Sequence, residues 1–163
     1  MGEDKNPPSQ ELTTEALKHY IDHPVDFCYD VLKVSKLQVY QEQFLNDLAA
    51  HPRVAVRSGH GVGKTFMLAC GACWFLFTRP SSKVITTAPT FRQVRSILWS
   101  EIKVRVAASL FNGLCEMLSS SIRIPGYPDW FALGASSDEP ANMQGYHSPT
   151  GVLFIVDEGA GVS

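Results

Sequence analysis

The sequence predicts an α/β fold: a mainly parallel sheet flanked by helices, preceded by a short helical N-terminal segment. Three observations carry this. From Arg53 onward, β-rich and helical stretches alternate, which is the pattern of a parallel sheet with crossover helices. A Gly-rich loop stands between a β-rich pentapeptide and an apolar helical run. Finally, Val152 to Val156, VLFIV, is a pure apolar run, as expected for a strand covered on both faces, and it ends in Asp157-Glu158.

Residues 1–10 read as a disordered lead-in, and residues 11–52 as the helical segment. Within it, Glu11 to His23 has helical spacing, with Leu12, Ala16, Leu17 and Tyr20 on one side. Pro24 interrupts, Val25 to Val34 forms a second short helix, and Val39 to Ala50 a third with Tyr40, Phe44, Leu45 and Leu48 inward. Residues 53–163 are the core. It starts with a strand, Arg53 to Arg57, followed by the loop Ser58 to Gly63, the apolar helix Lys64 to Phe77 and the strand Lys83 to Thr87. Thr90 caps a long helix running to about Leu110. Its apolar face is Val94, Ile97, Leu98, Ile102 and Val106; its other face carries Arg92, Arg95, Lys103 and Arg105. Two short strands, Ser121 to Ile124 and Trp130 to Leu133, and a polar, turn-rich stretch from Gly134 to Gly151 lead to VLFIV. Right-handed crossovers would gather the loops after the strands at one edge of the sheet, where a ligand would sit.

Composition excludes several classes. At 163 residues with 45% apolar and 18% charged residues, the chain is long enough for one globular domain and too apolar for a disordered one. A net charge of −2 leaves no general basic coat, so contact with nucleic acid would come from a local patch. The polar start MGEDKNPPSQ has no apolar signal region, and the apolar stretch Thr65 to Thr78 falls short of the roughly 20 residues that span a bilayer. A cytoplasmic, non-membrane protein is expected. Cys70 and Cys73 form a C-x-x-C, but no second pair completes a zinc set. Because the pair falls inside the apolar helix, small buried side chains are the expected reading.

The chemistry begins at Ser58-Gly59-His60-Gly61-Val62-Gly63-Lys64-Thr65. Binding a phosphate takes several backbone N–H groups aimed into one concavity, and glycines permit the turns that aim them. The helix start at Lys64 adds its positive dipole end. In this P-loop pattern Lys64 reaches the β and γ phosphates and the Thr65 hydroxyl ligates Mg²⁺, so the expected cofactors are ATP and Mg²⁺. Ser58 stands where the pattern has its first glycine. The alternative is a Gly-rich turn ahead of a core helix.

VLFIV followed by Asp157-Glu158 matches a Walker B strand. Asp157 would hold Mg²⁺, and Glu158 would orient and deprotonate the attacking water. The alternative is a strand ending in a solvated acidic turn. The glutamate points to the P-loop ATPases with an extra strand between the two motifs, the RecA-like (ASCE) class, and Lys83 to Thr87 supplies such a strand. Upstream, Gln41 offers an amide able to donate to and accept from an adenine edge, or is an exposed glutamine on an amphipathic helix.

Taken together, YQEQFL, VAVRSGHGVGKT, VITTAPTFRQVRSILWSEI, NMQGYH and VLFIVDEGAGV resemble the ATPase domain of phage terminase large subunits, from about Val25 onward. The resemblance implies a motor that hydrolyses ATP to push double-stranded DNA into a capsid, in the host cytoplasm. It also implies three kinds of partner: a small terminase subunit, a portal protein and sister copies in a homo-oligomeric ring. It places Gln41 at the adenine. Many members carry an arginine inside the P-loop; here His60 stands there and Arg57 precedes the loop. Either Arg57 or a neighbouring subunit would supply that arginine, the alternative for Arg57 being a surface ion pair. His60 is a phosphate contact or an exposed loop residue. The family's coupling motif and nuclease domain would follow Glu158, so the core is expected to be incomplete at its C-terminus, without DNA cleavage.

Gln144, Tyr146 and His147 read as a switch near the γ-phosphate or as a simple loop, and the basic face of the long helix as a DNA contact or a solvated surface. Two other functions compete. A helicase-like DNA-dependent ATPase would need a second motor domain. A nucleotide-binding or assembly fragment would bind without turnover.

Overall fold

A computed structural model describes residues 14–57, 63–136 and 145–157. Three helices come first: α1 (Thr14–Asp22), α2 (Pro24–Asp30) and α3 (Val39–Ala50). Pro24 opens α2 at a position where its missing N–H is not needed, so it starts this helix as well as separating it from α1. The long apolar helix α4 (Lys64–Thr78) follows, then β1 (Lys83–Ala88). A helix in three parts comes next: α5 (Phe91–Gln93), a π-helical turn (Val94–Leu98) and α6 (Trp99–Ala108). The remaining strands are β2 (Glu116–Met117), β3 (Ser121–Ile124), β4 (Tyr127–Ser136) and β5 (Val152–Val156).

The strands form one sheet in the order β2-β3-β4-β1-β5. β1 runs parallel to both β4 and β5, with Thr86 opposite Gly134 on one side and Ile155 on the other. That is the parallel core the alternation predicts. The hairpin β3–β4 and the short β2 add antiparallel strands at the far edge. The hairpin turns at Pro125-Gly126, where Gly126 has φ 84°. β4 extends to Ser136, three residues past the expected strand end at Leu133.

The hydrophobic core draws Val84, Ala88, Ala132 and Ile155 from one face of the sheet. Trp99 lies on this face and donates its indole N–H to Thr86 Oγ1 at 2.9 Å. Gly134 makes the approach possible: a Cβ there would stand 2.5 Å from both Trp99 Nε1 and Val94 Cγ1. β5 departs from the expectation of cover on both faces. It is an edge strand, and Phe154 and Val156, on the face opposite Ile155, are 45% and 62% exposed.

The π turn alters the helix after β1. Trp99 N–H bonds to Val94 O, an i→i+5 bond that adds roughly one residue to the turn. The buried face becomes Val94, Leu98, Trp99, Ile102 and Val106, while Ile97, expected inward, is 48% exposed. Arg105 also leaves the expected basic face. Its Nε sits 3.2 Å from Glu101 Oε1, and its guanidinium lies 5.1 Å from the Phe66 ring centre.

Cys70 and Cys73 are buried in α4, as the C-x-x-C reading expects, and Cys28 is buried against them. The adjoining Cys70 sulfur, together with burial, holds the Cys28 thiol far above its ordinary value, and burial raises that of Cys73. Buried neutral thiols are poor nucleophiles and poor ligands. In native protein, Ellman's reagent should therefore titrate at most the half-buried Cys115, with the other three appearing only on denaturation. Gly134→Ala should cost about 1–3 kcal/mol by overpacking against Trp99 and Val94, read as a lower denaturant midpoint at unchanged slope.

Candidate functional site

The site is where the start of α4 meets the end of β5. Gly63 caps α4 with φ 73°, in the left-handed region that favours glycine. Lys64 and Thr65 form the first turn, with their N–H groups among those an α-helix leaves unpaired. On the facing side the β1–β5 ladder continues one residue beyond Val156: Asp157 N–H donates to Thr87 O at 2.9 Å. This bond holds the Asp157 backbone against the sheet and turns its side chain inward, to 11% exposure.

The two sequence motifs, nearly a hundred residues apart, therefore meet. Lys64 Nζ stands 3.8 Å from Asp157 Oδ1. That oxygen is buried and accepts no hydrogen bond from a described residue. Leaving a buried acceptor unpaired costs about 1–3 kcal/mol, more for a charged group. The Lys64 charge and the positive end of the α4 dipole offset part of that cost without supplying a directed bond.

Gln41 is the third converging residue. It is 6% exposed, against the alternative of an exposed glutamine, and takes the inward position the sequence expects of Tyr40. Tyr40 is instead 44% exposed. Gln41 Oε1 accepts the Gln38 N–H at 2.8 Å, an α3 capping contact. Its Nε2 faces Gly63, and a Cβ on Gly63 would sit 2.9 Å from it. Gly63 thus combines two demands, a positive φ and close approach by a side chain.

The rest of the predicted set is distributed differently. Ser58, Gly59, His60, Gly61, Val62 and Glu158 lie outside the described residues. Arg57 is exposed, and among the described residues it forms no ion pair. Arg53 to Arg57, expected as a strand, pairs with no strand of the described sheet. A cleft of about 410 Å³ separates Val54 and Val56 from β5, with Lys64 and Asp157 at one end. The cleft, and not β1, stands between the two motifs, because β1 lies on the other side of β5.

Tyr146 and His147 do not reach the Asp157 end. Tyr146 packs against Phe131, 6.1 Å between ring centres, and His147 O accepts from Lys83 Nζ. Both partners belong to the first register row of β1, which also includes Val152. A strand of this length separates that edge from Asp157 by roughly 17 Å. The segment is pinned there by Ser148 Oγ to Ser81 O at 2.7 Å and Thr150 Oγ1 to Pro80 O at 2.6 Å. The switch reading fails on position for these two residues; Gln144 lies outside the described residues. Conversely, sequence reading passes over Thr87, whose contribution is a backbone carbonyl and so leaves no side-chain signal.

No family model matches the chain. A 118-residue stretch, 67% of the chain, is 32% identical to the probable terminase large subunit of Enterobacteria phage P7. The similarity is to a phage terminase subunit. The matched stretch spans 24% of that protein's length.

Gly63→Ala tests the junction. It forces a Cβ into the left-handed region and against Gln41, so it should destabilise by about 1–3 kcal/mol. Equilibrium denaturation checks this, with Gly113→Ala as the control for positive φ in open space.

Proposed function

We propose that the chain binds Mg·ATP and hydrolyses it as part of a DNA-packaging motor of the phage terminase large-subunit kind. One observation carries the reading: Lys64, in the first turn of an apolar helix behind a Gly-rich loop, stands 3.8 Å from a buried Asp157 oxygen that accepts no hydrogen bond from the described residues. Strand-end carboxylate and helix-start lysine are what a P-loop and a Walker B strand require at one place. The similarity to the phage P7 protein supports the packaging context.

The donor set fits the cofactor. A hard divalent cation takes carboxylate and hydroxyl oxygens, and Asp157 and Thr65 supply one of each. When bound, Mg²⁺ would offset phosphate charge as it develops. The chain's own residues do the rest. The backbone of Ser58, Gly59, His60, Gly61, Val62 and Gly63 would cradle the phosphates, and Lys64 would neutralise the β and γ oxygens. Glu158, next after the anchored Asp157, would accept the proton of the attacking water. Gln41 would meet the adenine; its Oε1 has a second lone pair beyond the Gln38 bond. Arg57, exposed and unpaired among the described residues, is the arginine offered to the transition state.

The proposed class is a P-loop ATPase, RecA-like by its two motifs though β1 does not supply the strand expected between them, with residues 11–52 as the adenine-side helical segment and 53–163 as the catalytic core. Double-stranded DNA, a small terminase subunit, a portal protein and sister copies in a ring are the proposed partners. The host cytoplasm is the proposed location. No helix of the described residues is long and apolar enough to cross a membrane.

Thermal unfolding with and without Mg·ATP tests the site. At 100 times Kd the ligand should add about 2.7 kcal/mol to the folded state. Lys64→Ala should abolish the shift, and a shift retained in that variant would sink the assignment. Asp157→Asn should remove the Mg²⁺-dependent part of the gain. Glu158→Ala should keep the shift and lose phosphate release; release at the parent rate would refute its role as base.

A further inference from the structure

The helix that follows β1 carries a second concave surface, chemically unlike the first. A pocket of about 360 Å³ is lined by Phe91, Arg92, Arg95, Ser96, Lys103 and Ser119. Three of the six are cations, none is acidic, and all six are exposed. In a chain of net charge −2, such a concentration of one sign is a local feature and not a reflection of composition. Glu101, the acid carried by the same helix, is engaged elsewhere, with Arg105 at 3.2 Å.

Local structure explains the grouping. Arg92, Arg95 and Lys103 share the outer face at helical spacing, and the π turn, which rotates Trp99 onto the sheet, keeps all three exposed. Phe91 supports the cluster, with the Arg95 guanidinium 5.8 Å from its ring centre. Thr90 fixes the start of the helix: its Oγ1 accepts the Gln93 N–H, and Gln93 Oε1 accepts the Thr90 N–H at 3.2 Å.

The size of the patch identifies the kind of anion. Arg92 and Lys103 are eleven residues apart, roughly 16 Å of helix axis. One phosphate is too small to engage both ends. A nucleic-acid strand, with a phosphate every 3.4 Å along its axis, presents four or five in that length. We infer that Arg92, Arg95 and Lys103 form a docking surface for the phosphodiester backbone of double-stranded DNA. The choice of duplex over other polyanions rests on the packaging reading above.

Fluorescence anisotropy with a labelled 20-base-pair duplex, on the full chain without nucleotide, tests the surface. Three phosphate contacts predict a log–log salt slope near −2.7, about 40-fold weaker binding at 200 mM than at 50 mM salt. Combined Arg92→Ala, Arg95→Ala and Lys103→Ala should remove most of that slope and weaken binding at least tenfold at 50 mM. Arg92→Lys, Arg95→Lys and Lys103→Arg together should retain the slope. Arg123→Ala, a cation of β3 outside the patch, should change neither value. An alanine triple variant that keeps the parent affinity and slope overturns the proposal, as does a parent that fails to bind the duplex at 50 mM. Tighter binding of a single strand of equal length overturns the duplex assignment. Mg·ATP thermal shift on the same samples separates the two readings. Duplex binding without a nucleotide shift leaves the surface standing and removes the motor; a nucleotide shift without duplex binding does the reverse.

Discussion

A helix that is apolar on every side has to be surrounded, and α4 sets that requirement for the rest of the molecule. Ten of its fifteen residues are buried, from Met67 to Thr78. α1 covers one side, where Trp74 Nε1 donates to Tyr20 O at 2.7 Å. α3 covers another, close enough that a Cβ on Gly71 would meet Leu48 at 2.9 Å. The sheet side is tied at the helix end, where Trp130 Nε1 donates to Leu76 O at 2.9 Å and Ser82 Oγ bonds the same carbonyl at 3.3 Å. Each large side chain buried this way contributes about 1.5–3 kcal/mol before the entropy of ordering it is subtracted. The N-terminal helices are therefore needed to complete the burial of α4, and through α4 they fix where Lys64 stands.

The opposite half of the site depends on a much weaker element. Asp157 follows an edge strand, paired on one side only, and its backbone is held by a single bond to Thr87. Among the described residues, its buried oxygen is compensated by charge at 3.8 Å and not by a hydrogen bond. Such an arrangement is stable only because the Lys64 charge and the helix terminus are fixed in place beforehand by α4. A positive environment fixed beside a single buried carboxylate holds that group ionised, and without a directed bond it is a poor way to maximise stability.

Much of this was legible in the sequence, and the pattern of misses is physical. Lys64 to Phe77, Lys83 to Thr87 and Val152 to Val156 were readable because long apolar runs bounded by Gly, Ser and acidic residues admit few alternatives. The inward turn of Gln41 was not, because period alone ranks a tyrosine above a glutamine for burial; the capping bond to Gln38 and the approach to Gly63 decide otherwise. Arg53 to Arg57 has strand composition, yet a strand needs a partner, and across the cleft β5 is too far to pair. The length of β4 was hidden by Gly134 and Ser136, residues of low strand propensity that tertiary contact with Trp99 and Val94 overrides. For Tyr146 and His147 the structure fits the simple-loop alternative and not the switch, because nearness in sequence to β5 says nothing about which end of it they occupy.

The π turn is the least predictable element of the fold. An α-helical period through Val94 to Val106 would bury Ile97 and direct Trp99 away from the sheet. One extra residue in the turn reverses both, while Arg92, Arg95 and Lys103 stay exposed. The same turn delivers the Trp99 indole to Thr86, whose successor Thr87 holds Asp157. A local irregularity of this kind costs helix stability, and propensity gives no reason to keep it. The burial of Trp99 offsets that cost: its indole fills the space over Gly134 and bonds Thr86 Oγ1.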